Sequence, residues 1–184
     1  MSTNPYAPPA APVADIPQPA APTVQPIYFP ISVLKLAVLT TCTLGLYELY
    51  WFYMNWRLIR EREGFKCNPA LRSIFSVFFV YSLFARMREG GEKLGARAAL
   101  LAGPLATGWI LATIAARLPP PYWLITLINP VFLLPVQAYV NRVNQVAAPG
   151  HEPNARFSGW NWATVVIGTL FLMLAIVGSF VPEP

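Results

Sequence analysis

Residues 57–97 read RLIREREGFKCNPALRSIFSVFFVYSLFARMREGGEKLGAR, and this stretch decides the fold class. It holds Arg57, Arg60, Arg62, Lys66, Arg72, Arg86, Arg88, Lys93 and Arg97, nine of the 13 Lys and Arg in a chain whose flanking segments are long apolar runs. Lys and Arg are retained on the cytoplasmic side when a membrane protein inserts. The stretch therefore predicts an all-α integral membrane bundle with 57–97 cytoplasmic. Inside it, only 13 residues separate Arg72 from Arg86. As a helix they reach about 20 Å, too short to cross a hydrocarbon core of about 30 Å. A short re-entrant or interfacial helix at 70–85 is expected instead, buried against the bundle because Phe75, Phe79 and Leu83 share the side of Arg72 and Arg86.

Working outward, hydrophobic residues make up 55% of the 184 and charged residues 11%, against about 25% charged in an average soluble domain. The net charge of +5 is interleaved with Glu61, Glu63, Glu89 and Glu92, which favours anionic lipid headgroups over nucleic acid. Arg57, Arg60, Arg62, Arg72, Arg86 and Arg88 are the expected headgroup contacts. Cys42 and Cys67 are expected at different depths and unpaired. One histidine, His151, and no cysteine pair at ligand spacing imply no metal site and no cofactor. The first 30 residues carry no Lys or Arg, so no signal peptide is expected.

Four spanning helices are predicted. Residues 1–30, with nine prolines and six alanines, are expected to form a disordered or polyproline-like tail. The first span covers about 31–53 within a 26-residue helix (31–56), its aromatic end at headgroup depth and Lys35 snorkelling to the opposite interface. The second covers 98–117, kinked by Pro104. Small residues recur in it at four-residue spacing, Ala99, Gly103 and Thr107 on one line and Gly108, Ala112 and Ala116 on another, as close helix packing in lipid requires. Pro119 to Pro121 force a hairpin with the third span, 122–141, and 161–181 form the fourth. Gly90-Gly91 is a turn signal. With Arg142 and Arg156 joining the basic block, 11 of 13 positive charges fall inside and both termini outside.

Two groups are candidates for function. Glu48 is an acidic residue within an apolar helix, where ionisable groups are costly and often mark a pathway or partner; its bland alternative is solvation by headgroup water and nearby arginines. Asn129, with the line Gln137, Asn141, Asn144 and Gln145 on one helix face, can line a polar cavity or hydrogen-bond between helices. No nucleophile elbow, zincin, P-loop or dinucleotide motif occurs.

Residues 45–62, GLYELYWFYMNWRLIRER, resemble the signature of an uncharacterised family of bacterial multi-pass membrane proteins, and Tyr81–Arg86 (YSLFAR) and Gly159–Trp162 (GWNW) are similar to its later blocks. The resemblance implies a bacterial inner membrane and carries no activity. The expected function is a non-enzymatic scaffold or accessory subunit that contacts lipid, another membrane protein or a second copy. The alternatives are a small transporter or channel using Glu48 and Asn129, and, with least support, a lipid-modifying enzyme.

Overall fold

A computed structural model describes residues 25–64, 66–96 and 99–181, and the proline-rich stretch expected as a tail falls outside these up to residue 24. Among the described residues all regular structure is helical, in seven α-helices and two 3-10 segments.

The apolar run that opens the chain does not form one helix. Helix α1, Val33–Cys42, starts where the Ser32 hydroxyl accepts the Lys35 amide, and α2, Leu46–Glu63, follows after a break. At the break Leu44 (φ 52°) and Gly45 (φ 85°) are both left-handed, a conformation glycine adopts without steric cost. The Gly45 amide closes on the Thr40 carbonyl at 2.9 Å. The Thr40 and Thr43 hydroxyls donate back to the carbonyls of Leu36 and Leu39. Beyond the break the chain returns: Asn55 Oδ1 accepts the Phe29 amide at 3.1 Å and Arg62 donates to the Ile27 carbonyl at 2.7 Å. The expected through-going span at 31–53 is thus corrected to a helical hairpin, its base at 27–32 beside Asn55 and Arg62 and its tip at 43–45. Lys35 changes ends with it, its ammonium bonding Asn154 Oδ1 (2.9 Å) and the Arg156 carbonyl (2.8 Å).

The segment expected at 70–85 is also two helices. Asn68 caps α3, Pro69–Ile74, with Pro69 at the first position, where its missing amide costs nothing. Ser73 donates to the Leu49 carbonyl, holding α3 along α2. After Phe75 the chain turns into α4, Ser76–Lys93, which runs eight residues past the expected end. Gly90 and Gly91 are therefore inside a helix rather than in a turn. A Cβ at Gly90 would lie 2.1 Å from the Tyr28 hydroxyl and one at Gly91 2.0 Å from that of Tyr139. The two glycines admit tyrosines that donate to the Arg86 and Arg88 carbonyls.

Helix α5, Ala102–Ile114, carries Pro104 at its third residue, in the first turn, where no intrahelical bond is lost; the expected kink has no cause there. It tightens into a 3-10 turn, Ala115–Arg117, and a second 3-10 segment, Tyr122–Ile128, precedes α6, Asn129–Ala147. The expected third helix at 122–141 is thus 3-10 for its first seven residues and extends to 147. Helix α7, Gly159–Gly178, is capped by Ser158.

The core lies between α2, α4, α5 and α6, around fully buried Trp51, Phe52, Trp56, Phe84, Leu133 and Val140. Trp51 meets Phe52 and Phe84 edge-on, and Phe52 meets Trp109 likewise, the geometry that ring quadrupoles favour. Gly108 sits under the Phe132 ring, 2.3 Å from where its Cβ would be, so α5 and α6 touch along the Gly108–Ala112 line. Helix α7 differs: none of its residues is buried. It is held by Gly168 against the Cys42 carbonyl, Thr169 on Cys42 Sγ, and Trp123 donating to Ser179 at 2.8 Å. Two helical stretches, Tyr122–Ala147 and Gly159–Gly178, are long and apolar enough to cross a membrane.

Candidate functional site

The hairpin has polar residues at both ends, and they are treated differently. At the base, residues 27–31 belong to no helix, bend at Ile27 and Tyr28, and wedge between α2 and α6. Asn144 brackets Tyr28, accepting its amide at 3.0 Å and donating to its carbonyl at 2.9 Å. Gln137 donates to the carbonyls of Phe29 and Ile31 and to Asn141 Oδ1, while its own oxygen accepts the Trp51 indole at 2.6 Å. Asn141 donates to the Ile31 carbonyl at 2.9 Å. The line on α6 thus joins helix to helix directly where Gln137 accepts the Trp51 indole, and Asn141 and Gln145 line a pocket with Ser32 and His151. It also supplies hydrogen bonds to the backbone of residues 28–31, which belong to no helix and would otherwise leave buried amide groups unpaired. Tyr28, outside the spans, carries a phenol pushed up in pKa by burial, with the Arg62 guanidinium 4.8 Å from its ring pulling the other way.

At the tip lies a cavity of about 290 Å³. Glu48 and Asn129, neighbours only in space, both line it, with Thr40, Ser76, Trp109 and Thr113. Glu48 is 3% exposed and Asn129 6%. Glu48 Oε2 accepts the Trp109 indole N–H at 2.8 Å, and Asn129 Nδ2 donates to Thr113 Oγ1 at 3.0 Å. The second carboxylate oxygen of Glu48, Oε1, and the amide oxygen of Asn129, Oδ1, have no hydrogen-bond partner. Among the described residues no Lys or Arg lines the cavity, so none of the described arginines expected to solvate Glu48 does so. The hairpin carries it away from them, and an indole takes their place.

The basic residues form their own surface at the base. Arg62 and Arg86 share Glu63, each at 2.8 Å. Arg57 pairs with Glu61 at 2.9 Å and Arg88 with Glu92 at 3.7 Å. Arg72 lies over the rings of Trp56 (4.3 Å) and Phe79 (4.8 Å), packed into the bundle rather than reaching outward, whereas Arg60 is exposed. Of the small-residue lines, Gly108 and Ala112 face inward and Ala116 lines the tip cavity. Gly103 lies 4.0 Å from the Tyr81 ring at the position of its missing Cβ, and Thr107 is exposed.

Trp109 and Thr113 complete the tip site and were not among the residues singled out from sequence. Their only sequence signal is the i, i+4 spacing that puts both on the Gly108–Ala112 side of α5. Among the described residues no group of three His, Cys, Asp or Glu is placed to hold a metal ion. Compared with known proteins, the chain matches no family model, no curated protein and no solved structure.

Proposed function

We propose that this chain is a multi-pass protein of the bacterial inner membrane, acting as a non-enzymatic scaffold or accessory subunit. The observation that supports it is α7: 20 residues without a single buried one, presenting Leu170, Phe171, Leu174 and Val177 outward. Water does not tolerate so large an apolar face on a monomer; lipid or an apposed helix does. In this reading α6 with its 3-10 lead and α7 cross the bilayer, and so does α5 together with the 3-10 turn that continues it to Arg117 and the apolar residues Leu100 and Leu101 before it, since the 13 residues of α5 alone are too short. The α1–α2 and α3–α4 pairs insert from the cytoplasmic side, where Arg62, Arg86, Lys35 and Arg156 gather. The described amino-terminal residues then lie inside, not outside.

Two measurements test the reading. Membranes from expressing cells are washed with alkaline carbonate, and the chain stays in the pellet; release into the supernatant removes the membrane assignment. Cross-linking in native membranes through cysteines at Leu170 or Leu174, in a chain lacking Cys42 and Cys67, gives a discrete adduct with a second copy or another membrane protein. A uniformly uncross-linked chain contradicts the scaffold role.

A second reading, a small transporter, draws on one observation: Glu48 and Asn129 line the same cavity at a helix break. Discontinuous membrane helices place ion sites at such breaks. Proteoliposomes with no cation or proton flux above empty vesicles would remove it.

A further inference from the structure

We propose that the tip cavity is a binding site for a small monovalent cation, held by Glu48 Oε1 and Asn129 Oδ1. The proposal deepens the transport reading, but it concerns equilibrium binding and stands or falls without flux. Three observations carry it. Both oxygens are hydrogen-bond acceptors without a donor, on side chains more than nine-tenths buried. Buried polar groups in native proteins almost always have a partner, and two orphans on residues that line one cavity call for an occupant that satisfies both. That occupant must bring positive charge or donors rather than acceptors.

The second observation is charge. Among the described residues Glu48 is the only ionisable one lining the cavity. An isolated buried carboxylate costs several kcal/mol unless it is paired. One carboxylate balances one positive charge, and a divalent cation here would leave an uncompensated positive charge in a buried site. The third is the remaining lining. The Thr40 hydroxyl spends its proton on the Leu36 carbonyl, and Thr113 Oγ1 takes the Asn129 amide, so each keeps a lone pair. With Ser76 and Thr126 these are hard oxygen donors suited to Na⁺ or K⁺, and equally acceptors for an ammonium ion. The cavity's 290 Å³ holds a partly hydrated ion, since liquid water occupies about 30 Å³ per molecule.

The test uses the full chain in detergent, with its thermal midpoint read in chloride salts of Na⁺, K⁺, NH₄⁺ and N-methyl-D-glucamine at equal ionic strength. Emission of Trp109, assigned by difference from Trp109→Phe, is read in parallel. One small cation raises the midpoint saturably and shifts the emission, while N-methyl-D-glucamine does neither; which cation acts separates alkali-ion from ammonium binding. Glu48→Gln and Asn129→Ala each weaken the half-saturating concentration at least tenfold. Asn129→Asp, which adds a second carboxylate, brings in a response to Ca²⁺ and keeps the test alive should Glu48→Gln fail to fold. Equal midpoints in all four salts, a rise as large in Glu48→Gln as in the unaltered chain, or a response to pH alone would each overturn the proposal and leave water as the occupant. A positive binding result with no liposome flux removes transport and keeps the site; the reverse removes the site.

Discussion

The base and the tip of the α1–α2 hairpin hold similar numbers of buried polar side chains, yet at the base every amide is paired and at the tip two oxygens are not. Asn55, Gln137, Asn141 and Asn144 join residues 28–31 to two helices through short bonds. Glu48 and Asn129, which line a cavity, each use one end and leave the other without a partner. A fully satisfied network fixes one conformation, whereas an unsatisfied one holds free energy that an occupant can release. On the proposal above, the contrast separates residues that build the protein from residues that bind a cation.

Breaking the base has the largest expected effect. Gln137→Leu leaves the Trp51 indole and the Phe29 carbonyl buried without partners, each costing about 1–3 kcal/mol. The expected outcome is a midpoint well below that of the unaltered chain in detergent thermal unfolding, or loss of the folded protein from the membrane. A smaller loss follows from Gly168→Ala. Its Cβ would stand 2.5 Å from the Cys42 carbonyl oxygen, a backbone atom that cannot swing aside. Overpacking of this kind costs about 1–3 kcal/mol, read in the same assay, and α7 becomes the first segment cut by limited proteolysis.

The tip is expected to respond in the opposite sense. Glu48→Gln keeps an oxygen for Trp109 and removes a buried charge, so its midpoint in N-methyl-D-glucamine chloride equals or exceeds that of the unaltered chain. A loss as large as that of Gln137→Leu would erase the distinction between the two ends. The smallest effect belongs to Arg57→Ala. The Arg57–Glu61 pair is exposed, screened by solvent and short of partners, and its removal leaves the midpoint unchanged within error.

The helical class, the position of most helices and the identity of Glu48 and Asn129 as candidates were legible in residue type and period. The hairpin was not. Hydropathy falls after Leu46, where Tyr, Trp, Glu48 and Asn55 replace the aliphatic run, but that fall fits the aromatic end of a single span, and Gly45 followed by Leu-Tyr-Glu resembles a packing glycine within a helix as much as a break. Two threonines that donate back to the preceding turn, with a left-handed leucine and glycine, convert a long helix into two. Once the chain turns there, Lys35 and residues 27–31 change ends, and the polar line on α6 acquires a non-helical segment to hold. Gly90-Gly91 misled for a related reason: the signal of a turn and the signal of space for a tyrosine hydroxyl are the same two missing side chains. The block 45–62 also becomes readable in retrospect. Glu48, Trp51, Asn55, Trp56 and Arg62 each meet a different partner, Trp109, Gln137, Phe29, Arg72 and Ile27. None of these pairings can be inferred from spacing alone, because every partner lies on another segment.

The hairpin itself is tested most directly by single cysteines at Gln25, Lys66 and Leu118, introduced into a chain lacking Cys42 and Cys67 and probed in intact cells with a membrane-impermeant thiol reagent. Gln25 and Lys66 are predicted to be protected together and labelled only after the cells are opened, with Leu118 labelled from outside. Labelling of position 25 from outside while position 66 stays protected would mean that residues 31–53 cross the membrane once, and both the base clamp and the tip cavity would lose their foundation.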